Sequence, residues 1–182
     1  MTTAIDPSSI PMRGGLHARA ERLIVWTNNA FSRIPESAIQ FLARFSIAVT
    51  FWISGQTKVE GFVVDPIGGH VHLGLPHLSD SAVELFRSEY ALPLLPPELA
   101  AHMAATAEHV FPLLLLFGLA TRLSAAALLG MTLVIEIFIY PLAYPTHALW
   151  AALMLYLMAR GPGAFSLDRM IANRMIANRS GR

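Results

Sequence analysis

Cysteine occurs nowhere in these 182 residues, which excludes disulfides, thiolate metal sites and any thiol relay carried by the chain itself. A redox role would therefore need a bound cofactor or a partner protein. Charge is scarce too: Asp, Glu, Lys and Arg make up 14% of the residues, the formal net charge is +1, and no contiguous basic face points to a nucleic-acid partner. The chain also lacks a CxxCH haem site and a dinucleotide fingerprint. Residues 1–37 lack the short apolar core and small-residue cleavage site of a secretory signal, so this segment is expected to be retained.

What remains is apolar. Hydrophobic residues make up 54% of the chain and the mean hydropathy is +0.52, well beyond ordinary soluble domains, so the chain reads as an integral membrane protein that contacts the lipid bilayer. Its length suits one compact bundle without a second globular domain. The expected fold is all-α: an integral membrane four-helix bundle with a short amphipathic interfacial helix in the first outer loop. Spans are expected at 38–56, 98–119, 122–141 and 145–160 within a membrane domain of 38–160. Segment 1–37 precedes them, loop 57–97 separates the first two, and a basic tail follows at 161–182.

Local signals set these limits. Pro35 and Ser37 suit a helix start, as do Pro96-Pro97-Glu98, because proline is tolerated in the first turn and an acid suits the positive helix end. Asp65-Pro66, Gly68-Gly69 and Gly74 mark the outer loop, where Ser79-Asp80-Ser81 and Glu84 resemble a helix N-terminus. Leu16, Leu23, Ile24 and Trp26 alternate with Arg19, Glu21 and Arg22, so residues 17–31 can form an interfacial helix. Pro112 removes a backbone hydrogen bond beside Glu108 and is expected to kink the second span.

Three charges fall where charge is expensive: Arg44, Glu108 and Glu136. Burying such a group near the bilayer centre costs roughly 2.5–3.5 kcal/mol on insertion scales, so these residues are expected to face other helices. They can line a ligand pocket, or form an ion pair that only holds the bundle together. Arg44, Ala48, Phe51, Gly55 and Lys58 share one helix face, which places Arg44 inside the bundle and Lys58 at its mouth, unless Lys58 merely snorkels. Thr132, Glu136 and Tyr140 form a polar stripe leading to an outward turn with Tyr144 and His147, a second candidate at the pocket mouth.

Imidazole and carboxylate suit divalent transition metals, which makes His102, His109, Glu108 and His147 the residues to test for copper or a similar ion. His102 and His109 are two turns apart, about 10.5 Å along a helix, so a second element would have to intervene. His70-Val71-His72 offers another pair if its backbone is extended. Trp150 and Tyr156 suit either a membrane interface or a packed core, and Met103, Met154 and Met158 either soft-metal binding or core filling.

Orientation follows the basic residues. Arg13, Arg19, Arg22 and Arg33 precede the first span, Arg122 joins the second and third, and Arg160, Arg169, Arg174, Arg179 and Arg182 follow the fourth. Lys58 and Arg87 lie on the other side, so both termini are expected in the cytoplasm and the long loop in the periplasm of a bacterial inner membrane.

Arg44 with Gly55 and Lys58, Glu108 before Phe117-Gly118-Leu119 and Thr121-Arg122, and the closing Arg160-Gly161-Pro162-Gly163 with Ser166-Leu167-Asp168 together resemble the DoxX family of small four-helix bacterial membrane proteins. The resemblance covers about Gln40 to Asp168, and makes Arg44 and Glu108 an expected pair within the bundle. The long outer loop and the Tyr140-to-His147 turn look like a subgroup encoded beside peptide-modifying iron oxidases in metal-stress gene clusters. The resemblance implies association with quinone-linked oxidoreductases or redox-defence enzymes.

Two functional classes follow. One is a quinone-interacting accessory subunit in which Arg44, Glu108 and Glu136 line an intramembrane pocket. The other is a non-enzymatic scaffold or copper-handling component of a metal-stress pathway, alone or as a homo-oligomer, serving a partner protein.

Overall fold

The computed structural model describes residues 15–180; residues 1–14 and 181–182, which include Arg13 and Arg182, lie outside it. Four helices are long and apolar enough to cross a membrane: α2 (Glu36–Gln56), α4 (Pro97–Phe117), α5 (Thr121–Phe138) and α6 (Tyr144–Arg160), the last entered through a 3-10 turn at Pro141–Ala143. Ahead of them lies α1 (Leu16–Phe31), whose Leu23, Ile24, Trp26 and Phe31 are exposed; α7 (Leu167–Ser180) follows them. The all-α membrane bundle expected from composition is present.

The bundle pairs α2 with α4 and α5 with α6, the pairs meeting through Ile47 and Phe51 on α2, Leu115 on α4, Leu128 on α5 and Met154 and Leu157 on α6. All of these are buried, whereas Leu42, Leu116, Ile137 and Leu149 face outward. Outward leucines and isoleucines are costly in water and favourable in hydrocarbon. α4 starts with Pro97 in its first turn, runs through Pro112 without a break, and ends at Gly118, whose φ of 66° is the left-handed conformation glycine favours at a helix end. Having no N–H, Pro112 leaves the carbonyl of Glu108 without its helical donor.

One element departs from expectation. Loop 57–97 contains an antiparallel hairpin, β1 (Val59–Val64) with β2 (Val71–Leu78), pairing Val59 with Leu78, Phe62 with Leu73 and Val64 with Val71. The register shifts between Glu60 and Phe62, at Gly61 with φ of 80°, the backbone that a glycine bulge requires. Asp65 closes the turn by accepting from the N–H groups of Gly68 (2.8 Å) and Ile67 (2.9 Å), and these bonds hold its carboxyl below the usual carboxylate range. The helix expected after Ser79 forms as α3 (Asp80–Leu85), capped by Ser79 Oγ accepting from Ala82 N, and passes into a wide π-type turn at Phe86–Tyr90.

Candidate functional site

Arg44 is fully buried, but it does not meet Glu108. Its guanidinium donates to the carbonyls of Leu115 (3.1 Å), Leu116 (3.4 Å) and Phe165 (2.5 Å), tying the C-terminal end of α4 to the segment that leads into α7. Gly118 must be small here, since a Cβ would strike Arg44 Nη1 and Ser166. Asp168 completes the knot: it accepts from Ala120 N (2.8 Å) and Thr121 N (3.0 Å), so a distant carboxylate caps α5, while its own N–H donates to Gly118 O. Gln40 donates to the carbonyl of Arg160. The Arg44, Gly118 and Asp168 motifs are thus parts of one structural clasp at one end of the bundle.

Glu108 finds its partner elsewhere. Lys58 turns back from the end of α2 to place Nζ 2.7 Å from Glu108 Oε2, and the two side chains are only 7% and 4% exposed. The contact is an ion pair by distance, though its angle falls outside hydrogen-bond geometry. Ser54 joins both groups, donating to Glu108 Oε1 (3.1 Å) and accepting from Lys58 Nζ (3.2 Å). Lys58 is therefore buried and paired, where a snorkelling end residue would reach outward, and it lines an apolar cavity. Ser54 was not singled out from the sequence, although it lies in the last turn of α2, four residues before Lys58.

This triad opens onto a cavity of about 460 Å³ between the two helix pairs. Its walls are apolar, from Thr50 and Phe51 of α2, Met103 and Ala107 of α4, Met131 and Val134 of α5 and Trp150 of α6, with Phe86, Tyr90 and Leu92 over one end. His147 also lines it. His147 Nδ1 lies 2.5 Å from Glu136 Oε2, and its ring packs 5.2 Å from that of Trp150, which packs in turn against Phe51 at 5.6 Å.

The expected stripe does not act as one surface. Thr132 is buried but donates to the carbonyl of Leu128 in its own helix, and neither it, Glu136 nor Arg44 is among the wall residues. Tyr140 lies past the end of α5, is 40% exposed, and donates to Glu89 Oε1 from the rim. That donation, stabilising the neutral phenol, raises its pKa. The arrangement brings together Glu108, Lys58, His147 and, at the edge, Tyr140.

The metal candidates are also dispersed. Among the described residues no three His, Asp or Glu side chains converge as ligands would. His109 has both ring nitrogens engaged, Nδ1 at 2.7 Å from Ala105 O and Nε2 at 2.8 Å from Gln56 Nε2, an arrangement that one neutral tautomer satisfies. His102 is exposed and bonds through Nδ1 to Glu98 O. His72 does lie on an extended strand, as the His70-Val71-His72 idea required, but it and His70 are exposed without a converging third ligand, and His77 faces Glu60 at 3.6 Å.

Four helices long and apolar enough to cross a membrane, packed around an apolar cavity, define a multi-pass membrane protein. A family model for DoxX matches residues 39–141, more than half the chain, and the chain belongs to the DoxX family. The match takes in Arg44, Lys58 and Glu108, and it ends before His147 and Asp168. A Haemophilus influenzae protein described as uncharacterized is 30% identical over 96 residues, covering 47% of this chain and 62% of that protein, less than two thirds of the relative's own length. No solved structure matches the chain.

Proposed function

We propose that the chain is an accessory subunit of the bacterial inner membrane that holds a quinone or quinol for an oxidoreductase partner. The observation behind this reading is the Lys58–Glu108 ion pair, buried beside an otherwise apolar cavity of about 460 Å³. A small-molecule site commonly has a volume of roughly 300–1,000 Å³, with apolar walls and a few placed polar groups. A quinone headgroup, a flat apolar ring edged with oxygens, fits that donor set.

A bound quinone supplies reversible electron and proton carriage. The chain's own residues supply position and proton exchange. Lys58 offers an ammonium donor to a ring oxygen, and Glu108, anchored by Ser54, offers a carboxylate that can take up a proton. Trp150 and Phe51 give the ring an aromatic wall. The absence of cysteine, a haem-attachment motif and a dinucleotide fingerprint assigns the electron source to a partner protein. Both termini lie in the cytoplasm in this proposal. Lys58 is buried within the bundle beside Glu108, so Arg87 is the exposed Lys or Arg between the first two spans, against the arginines before α2, after α4 and beyond α6.

Purification in mild detergent, followed by solvent extraction and chromatography, tests the reading. Quinone in near-stoichiometric amount is expected with the wild-type chain, falling about tenfold in folded Glu108→Gln or Lys58→Met protein. Folded wild-type protein that carries no quinone and takes none up from quinone-loaded vesicles would overturn it.

A further inference from the structure

The geometry points to a second polar pole on the same cavity: His147, oriented by Glu136, contacts a second oxygen of the ligand and selects rings that carry two. This rests on the quinone reading above and specifies the class of ligand.

Glu136 engages Nδ1 of His147, which leaves Nε2 as the ring nitrogen that is free to act in the cavity His147 lines. No hydrogen-bond partner for Nε2 occurs within the described residues, and the side chain is only 9% exposed. A nearly buried imidazole with one nitrogen tied to a carboxylate has its orientation and tautomer set in advance, because the carboxylate accepts from Nδ1–H and leaves Nε2 to accept or, when protonated, to donate. Glu136 does not line the cavity, so it acts through His147 as a positioning residue.

The two poles stand on different helix pairs. Lys58, Ser54 and Glu108 belong to the α2–α4 side, and Glu136 and His147 to α5 and α6. Between them the remaining ionisable wall residues are the phenols Tyr90 and Tyr140 near the outer end. A ligand with a single oxygen can satisfy one pole only, leaving the other polar group facing an apolar ring. Desolvating an unpaired polar group is what makes a site built for a hydrogen bond reject an analogue that lacks it.

The test compares two probes of equal tail length in lipid nanodiscs: a short-chain alkyl benzoquinol and the alkyl phenol lacking its second oxygen. Wild-type protein is expected to bind the quinol at least about tenfold more tightly than the phenol. His147→Phe should bring the ratio close to one while leaving phenol affinity within about twofold. Glu136→Gln, which keeps a hydrogen-bonding side chain and guards against loss of fold, should lower the ratio, and Glu136→Asp should restore much of it. A brace between α5 and α6 alone would change melting temperature without changing that ratio. An unchanged ratio in folded His147→Phe and Glu136→Gln overturns the second pole while leaving the first intact; failure of wild-type protein to bind either probe overturns the quinone reading itself.

Discussion

Lys58 Nζ lies 2.7 Å from Glu108 Oε2, and Ser54 is hydrogen-bonded to both residues, so the costliest carboxylate in the bundle is neutralised by a lysine that begins outside α2 and reaches back in. A buried pair of this kind is expensive to break from one side. Removing one partner leaves a desolvated charge, typically at a cost of roughly 3–5 kcal/mol, whereas replacing both with apolar groups of similar size is often neutral. Lys58→Met is therefore expected to lower stability in detergent by that order, and Lys58→Met with Glu108→Leu to recover most of the loss. Reversible unfolding of the two single variants and the double variant measures the coupling; strict additivity would contradict it.

Arg44 is predicted to affect the fold and leave the ligand alone. It serves three carbonyls and stands outside the cavity wall. Hydrogen bonds from a charged group contribute about 1.5–3 kcal/mol each, so Arg44→Leu should destabilise by about 3 kcal/mol or more. Arg44→Lys should rescue little, because an ammonium cannot reproduce the fork. Quinone retained per folded molecule should stay at the wild-type level, which extraction of the folded fraction after thermal challenge measures.

The hairpin should loosen when its tether is cut. Gln56 Oε1 accepts from Val64 N (2.6 Å), Gln56 Nε2 meets His109 Nε2, and Trp52 Nε1 donates to Val64 O (2.8 Å). His109→Phe removes the acceptor that orients the Gln56 amide. Hydrogen exchange at Val63 and Val64 should accelerate about tenfold in that variant, the equivalent of roughly one lost hydrogen bond, with little change in the clasp at Arg44.

Acid should open the hairpin turn before it affects the rest of the hairpin. Bonds from Gly68 N and Ile67 N favour the charged form of Asp65 and depress its pKa in the folded chain. Its stabilisation is therefore fully present above the unfolded pKa and is lost as pH falls through the lower folded value. Protection of the Ile67 and Gly68 amides should fall in that acid range, and in Asp65→Ala it should be low already at neutral pH.

Much of the architecture could be read from the chain, because the long apolar runs, Pro35 and Pro96-Pro97 report on local preference and on lipid. The hairpin could not: its strands lack a clean alternation, and the connection from Val64 to Val71 is longer than the two-residue turns that signal a hairpin most strongly. The fate of Arg44 was hidden for another reason. Periodicity places a side chain on a helix face, but the carbonyls it binds belong to Leu115, Leu116 and Phe165, residues whose side chains advertise no acceptor. Glu108 was visible as an expensive charge, while its partner was obscured because a lysine beyond a helix end can point outward or back into the bundle.

Photolabelling most directly tests whether the cavity beside Lys58 and Glu108 holds a quinone. With a short-chain azidoquinone in native-like membranes, mass spectrometry should find adducts on wall residues such as Met103, Met131 and Trp150, suppressed by excess unlabelled quinone and lost in folded Glu108→Gln. Labelling confined to lipid-facing residues such as Leu116 and Phe117, and insensitive to both competitor and variant, would contradict the account.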